Sequence, residues 1–95
     1  MNTITIDYDN LATVYVDKVK DKKGFASIDF MLKDGSSVTY GMQIDAIIKI
    51  LSSMNKTEEN IQGMTTISAG NRPTLQIRGA ILVDALLEAK TKLES

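Results

Sequence analysis

Strands gathered ahead of each helix, a change of hydrophobic period from two to near 3.6, and glycine or charged turns between the alternating segments predict an α+β protein. The expected order is ββββαββα, an antiparallel β-sheet of hairpins with two helices packed on it. The 95 residues suit one domain covering positions 1–95. A chain of this size buries only about 60 to 65% of its unfolded surface, so its stability is modest unless copies associate.

Thr3 to Tyr8 alternates small polar and apolar residues and reads as a first strand, with Ile4, Ile6 and Tyr8 on one face and Asp9-Asn10 ending it. Thr13 to Val19 is a second strand. It runs into Lys20-Asp21-Lys22-Lys23-Gly24, whose charges and glycine mark a solvated hairpin connection. Phe25 to Leu32 is the clearest strand, with Ala26, Ile28, Phe30 and Leu32 on one face and Ser27, Asp29 and Met31 on the other. Asp34-Gly35 predicts a two-residue type I′ turn, in which both central residues take positive φ. Val38-Thr39-Tyr40 returns antiparallel, and Gly41 ends that strand.

From Met42 to Met54 the period changes. Ile44, Ile47, Ile48, Ile50 and Leu51 form an apolar stripe, while Asp45 and Lys49 make a favourable i,i+4 pair on the polar side. Asn55 suits a helix terminus, and Lys56 to Gly63 is a polar connection in which Thr57 caps a short turn and Glu58-Glu59 sit near a helix start. A second hairpin is predicted from Met64–Ala69 and Thr74–Arg78, turning at Gly70-Asn71-Arg72-Pro73, with Pro73 at a strand start where its missing N–H is tolerated. The last element, Ala80 to Leu93, places Ile81, Leu82, Ala85, Leu86, Ala89 and Leu93 on one face, with Val83 and Leu87 widening it. That surplus width is expected to contact the first helix or another subunit, and a homo-oligomer is anticipated. Val38-Thr39-Tyr40-Gly41 and Gln76-Ile77-Arg78-Gly79 each lead into a helix, an echo of architecture that common patterning produces without a repeat.

Composition narrows the function classes. The formal charge is −1, with mixed signs, so bulk nucleic acid is not an expected partner. Without cysteine there are no disulfides or thiolate metal sites, and without histidine or cysteine the commonest general base and best nucleophile are missing. No serine or threonine stands at a spacing that pairs it with an activating base. The chain is therefore read as no enzyme, with no cofactor. Asp7-Tyr8-Asp9-Asn10 resembles the start of a calcium loop, but Leu11 falls where a later ligand belongs and no glycine supplies the sharp turn, so no metal site is assigned. Met1 to Asp7 lacks the basic start and apolar run of a signal peptide, and no apolar stretch nears the roughly 20 residues of a membrane span. A cytoplasmic location and no membrane partner are expected.

One stretch concentrates chemistry. Gly70-Asn71-Arg72-Pro73-Thr74-Leu75-Gln76-Ile77-Arg78-Gly79 holds both arginines and the only proline. Arginine presents a planar fork that matches phosphate or carboxylate two bonds at a time, unlike the point charge of lysine. In a strand, Thr74, Gln76 and Arg78 share one face while Leu75 and Ile77 point inward. Arg72 is then expected to close over that face, and Gly79 to expose backbone N–H groups at the helix start. The resulting expectation is a protein that senses or sequesters a phosphate-bearing ligand, a nucleotide or cyclic nucleotide. Arg72 and Arg78 fork the phosphate, Asn71, Thr74 and Gln76 read polar edges, and a tyrosine stacks on a base. Such a binder suits a phage or mobile element that neutralises a host signal. The competing structural account pairs Arg78 with Asp29 or another carboxylate and leaves Arg72 in a solvated turn. The competing function is an inhibitor or adaptor that binds another protein through a sheet edge or a helix face.

Overall fold

Period-two and period-3.6 patterns specify which face of a segment is buried, but not which strand lies beside which. A computed structural model describes residues 3–54, 61–68 and 72–95. Asn55, Thr57, Glu58, Glu59, Ala69, Gly70 and Asn71, to which strand, turn, cap or ligand roles are assigned above, lie outside the described residues. The elements are β1 (Thr3–Ile6), β2 (Leu11–Lys18), β3 (Phe25–Leu32), β4 (Ser37–Gln43), α1 (Ile44–Met54), β5 (Met64–Ile67), β6 (Thr74–Arg78) and α2 (Gly79–Glu94). Class and order are α+β and ββββαββα.

The strands form two three-stranded sheets, β2-β3-β4 and β1-β6-β5. The first is an antiparallel meander built by local hairpins. In the second, β5 and β6 pair antiparallel, while β1 joins β6 in parallel with Thr3 opposite Thr74 and Ile6 opposite Ile77. The turn after β1 explains the separation. Asn10 Oδ1 accepts the Asp7 N–H at 2.8 Å, and the Asp7 carbonyl accepts from Asn10 and Leu11 N–H at 3.2 and 3.0 Å. This closed turn ends β1 at Ile6 and redirects the chain into a different sheet, so Tyr8 leaves the strand pattern and is exposed.

Turn chemistry differs from expectation at Gly35. The Gly35 N–H donates to the Leu32 carbonyl at 3.0 Å, the Leu32 N–H to the Ser36 carbonyl at 2.9 Å, and Gly35 has φ 92°. This is a three-residue loop with a left-handed glycine rather than a two-residue I′ turn. Asp34 favours it by accepting from both the N–H and the hydroxyl of Ser36. At Gly41 the chain does not stop: β4 continues to Gln43, and α1 starts where the Ile44 N–H reaches the Gly24 carbonyl at 2.9 Å.

α2 packs against β2, β3, β6 and α1, and so ties the two sheets together. Its Ile81, Leu82, Ala85, Leu86 and Ala89 join Ile6, Ile28, Phe30, Tyr40, Leu75 and Ile77 in one core cluster. Val83 is buried as well, but Leu87 is 39% exposed and Ile48 of α1, expected in the stripe, is 42% exposed. Among the described residues no helix is long and apolar enough to cross a membrane.

Candidate functional site

The parallel and antiparallel registers together align the outer face of β1-β6-β5 into cross-strand rows. Thr3 lies opposite Thr74, Thr5 opposite Gln76, and Gln76 opposite Thr66. At the neighbouring position Ser68 Oγ is 3.2 Å from Thr74 Oγ1. Extending the β1 register past Ile6 puts Asp7 beside Arg78, whose other neighbour is Met64. Leu75 and Ile77 are fully buried beneath, so the predicted polar row of Thr74, Gln76 and Arg78 is present. It is broadened on both sides by hydroxyls.

Arg78 is committed within the fold. Its Nε donates to Asp7 Oδ1 at 3.0 Å, its Nη2 to Asp7 Oδ2 at 2.5 Å, and its Nη1 to the Gln62 carbonyl. The carboxylate partner is therefore Asp7 and not Asp29, which instead accepts from the Thr39 hydroxyl. Asp7, Tyr8, Arg78, Ile61, Gln62 and Ala80 line an open depression of about 260 Å3 at the start of α2. Asp7 and Asp9 both act on the Arg78 charge, so an incoming anion meets carboxylates as well as the guanidinium.

Arg72 lies at the opposite end of β6. Its Nη1 donates to the Thr39 carbonyl at 2.6 Å, and its guanidinium lies 5.7 Å from the centre of the Tyr40 ring. Six residues of extended chain span about 20 Å, so Arg72 and Arg78 do not converge on one phosphate. The physical reason is the strand between them: one arginine anchors each end. Thr74 and Gln76 lie between, and Asn71 lies outside the described residues. Tyr40, absent from the sequence-based site, donates its hydroxyl to the Pro73 carbonyl and is buried under Arg72. Burial pushes its hydroxyl pKa up, with Arg72 opposing, so it remains a donor at neutral pH.

Asp7 also carries a pH consequence. Hydrogen bonds from Arg78, then from the Tyr8 N–H, hold its carboxyl below the ordinary range, against a smaller opposing effect of desolvation. A depressed folded-state pKa stabilises the fold above the unfolded value, near pH 4, and that contribution is lost as pH falls through the folded value. Asp34, held down by Ser36, has the same sign. Denaturant titrations below pH 4 are expected to show stability falling with pH in the wild type and falling less in Asp7→Asn. Parallel curves would remove Asp7 from the account.

Comparison with protein-family models, curated proteins and solved structures gives no match for this chain.

Proposed function

We propose that the chain is a non-catalytic protein-binding module that receives an amphipathic helical segment of another protein in the seam between α1 and α2. The observation that carries this reading is the exposure of Ile48 and Leu87 on a groove of about 240 Å3 also lined by Leu51, Ser52 and Lys90. Large apolar side chains on neighbouring helices lose water when a partner's apolar anchor enters between them. Lys90 at the lining is already paired with Glu94 at 3.0 Å, so the apolar side chains and not a free charge define the groove. The phosphate-binding expectation has less support because the fold uses both arginines, one beside two acids and the other on a backbone carbonyl.

The test is comparative affinity capture with wild type, Ile48→Lys, Leu87→Lys and Arg78→Ala, each captured protein then being titrated in purified form. A partner that uses the seam should lose about thirty-fold or more in affinity with Leu87→Lys, the scale of an interface hot spot, and little with Arg78→Ala. Binding indifferent to both lysine substitutions overturns the proposal.

A second reading keeps the anionic small molecule, a nucleotide or cyclic nucleotide, at the depression where Tyr8 stands beside Arg78. It is favoured by the juxtaposition of an exposed ring and a guanidinium with N–H groups beyond those given to Asp7 and Gln62. A selective rise in melting temperature across a nucleotide panel, lost in both Arg78→Ala and Tyr8→Ala, would place function there instead.

A further inference from the structure

Open sheets expose strand edges whose outward N–H and C=O groups invite another strand, and folded proteins block them with charges, prolines, bulges or covering groups. The ladder phases of this fold identify which groups face outward. On β1, the Thr5 carbonyl points away from β6 and accepts from Asn10 Nδ2 at 2.7 Å. On β2, the Val16 carbonyl points away from β3 and accepts from Lys92 Nζ, while the outward Lys18 N–H is taken by Asp17 Oδ1 at 2.9 Å. On β4, the outward Thr39 carbonyl accepts from Arg72 Nη1. Each of these edges carries a side-chain nitrogen on an outward carbonyl.

β5 is different. The Gly79 N–H donates to the Gly63 carbonyl at 2.9 Å, which sets the phase of the β5-β6 ladder. Thr65 and Ile67 then bond to β6, while Met64 and Thr66 direct their N–H and C=O groups away from it. Both residues are exposed. Among the described residues no side chain caps these outward groups, and Met64–Ile67 contains no charge and no proline.

We propose that β5 is an assembly edge that pairs antiparallel with β5 of a second copy, joining two β1-β6-β5 sheets into one. Read against itself about Thr65, Met64-Thr65-Thr66-Ile67 sets Met64 of one copy opposite Thr66 of the other, and Thr65 opposite Thr65. Each outward residue meets a residue offering the complementary N–H and C=O, in an isologous contact that closes after two copies. The strand brings no ionisable side chain, so no like charges face each other. A corresponding self-pairing of β2 would bring Asp17 and Lys18 into the contact. Threonine hydroxyls on the outer face continue across the junction without an unpaired buried charge. This edge is separate from the α1–α2 seam, so the two proposals fail independently.

Sedimentation of the full chain over a concentration series tests the proposal. Wild type is expected to reach twice the monomer mass. Thr66→Pro, which removes an N–H unused within the protomer, is expected to remain monomeric with an unchanged circular dichroism spectrum. Thr66→Lys retains the backbone donor and introduces a charge in each copy on the joined face, and is also expected to be monomeric. Leu87→Lys is expected to dimerise like wild type. A wild type that stays monomeric at its highest soluble concentration, or a dimer that survives Thr66→Lys, overturns the proposal.

Discussion

Leu86→Ala is expected to cost about 2–5 kcal/mol of folding stability, the range for emptying a sealed leucine site. Leu86 is fully buried on α2, the element that touches both sheets and α1. A cavity there removes packing on several sides at once, and the small strands around it have little freedom to close the gap. Because domains are commonly stable by only about 5–15 kcal/mol, the loss is large enough to lower the melting temperature by more than about 10 °C. The internal control is the next residue. Leu87→Ala deletes the same atoms from an exposed position and is expected to fall within about 0.5 kcal/mol of wild type. Equal effects at the two positions, measured by urea denaturation, would contradict the placement of α2.

The contrast between these leucines also shows what sequence patterning conveys. Period 3.6 placed Leu86 on the principal face and Leu87 on its flank, and these two are buried and exposed accordingly, although Val83 on the same flank is buried as well. Period two likewise identified the inward residues Ala26, Ile28 and Phe30 of β3 and Leu75 and Ile77 of β6. Pairing between distant segments was not legible, because alternation assigns a face without assigning a neighbour. The parallel contact of β1 with β6 spans most of the chain, and it alone brings Asp7 to Arg78. Arg72 is similar: a turn arginine looks solvated in sequence until the open edge of β4 supplies a carbonyl. Each arginine makes fold contacts at one end of β6, a role the local motif could not distinguish from ligand binding. The signal that was available lay in Thr3, Thr5 and Asp7, which repeat the spacing of Thr74, Gln76 and Arg78.

Tyr40→Ala is expected to cost about 3–5 kcal/mol, comparable to truncation of a buried phenylalanine. Tyr40 joins the sheets in two ways: its buried ring belongs to the core of the meander, and its hydroxyl reaches Pro73 at the entrance to β6. Tyr40→Phe separates the contributions by keeping the ring and deleting the hydroxyl, with an expected cost of about 0.5–1.5 kcal/mol for the lost hydrogen bond. Arg72 completes the junction from above, resting on the ring while its Nη1 holds the Thr39 carbonyl. Arg72→Ala is therefore expected to cost about 1 kcal/mol, the scale of a partly exposed cation–π contact. The double variant Tyr40→Ala/Arg72→Ala should lose less than the sum of its parts, because removing the ring already deprives the guanidinium of its platform. Chemical denaturation of the four proteins measures that coupling directly. If Arg72→Ala leaves stability unchanged and the losses add, the guanidinium does not brace the sheet junction, and its remaining donors regain their claim as an anion-binding group.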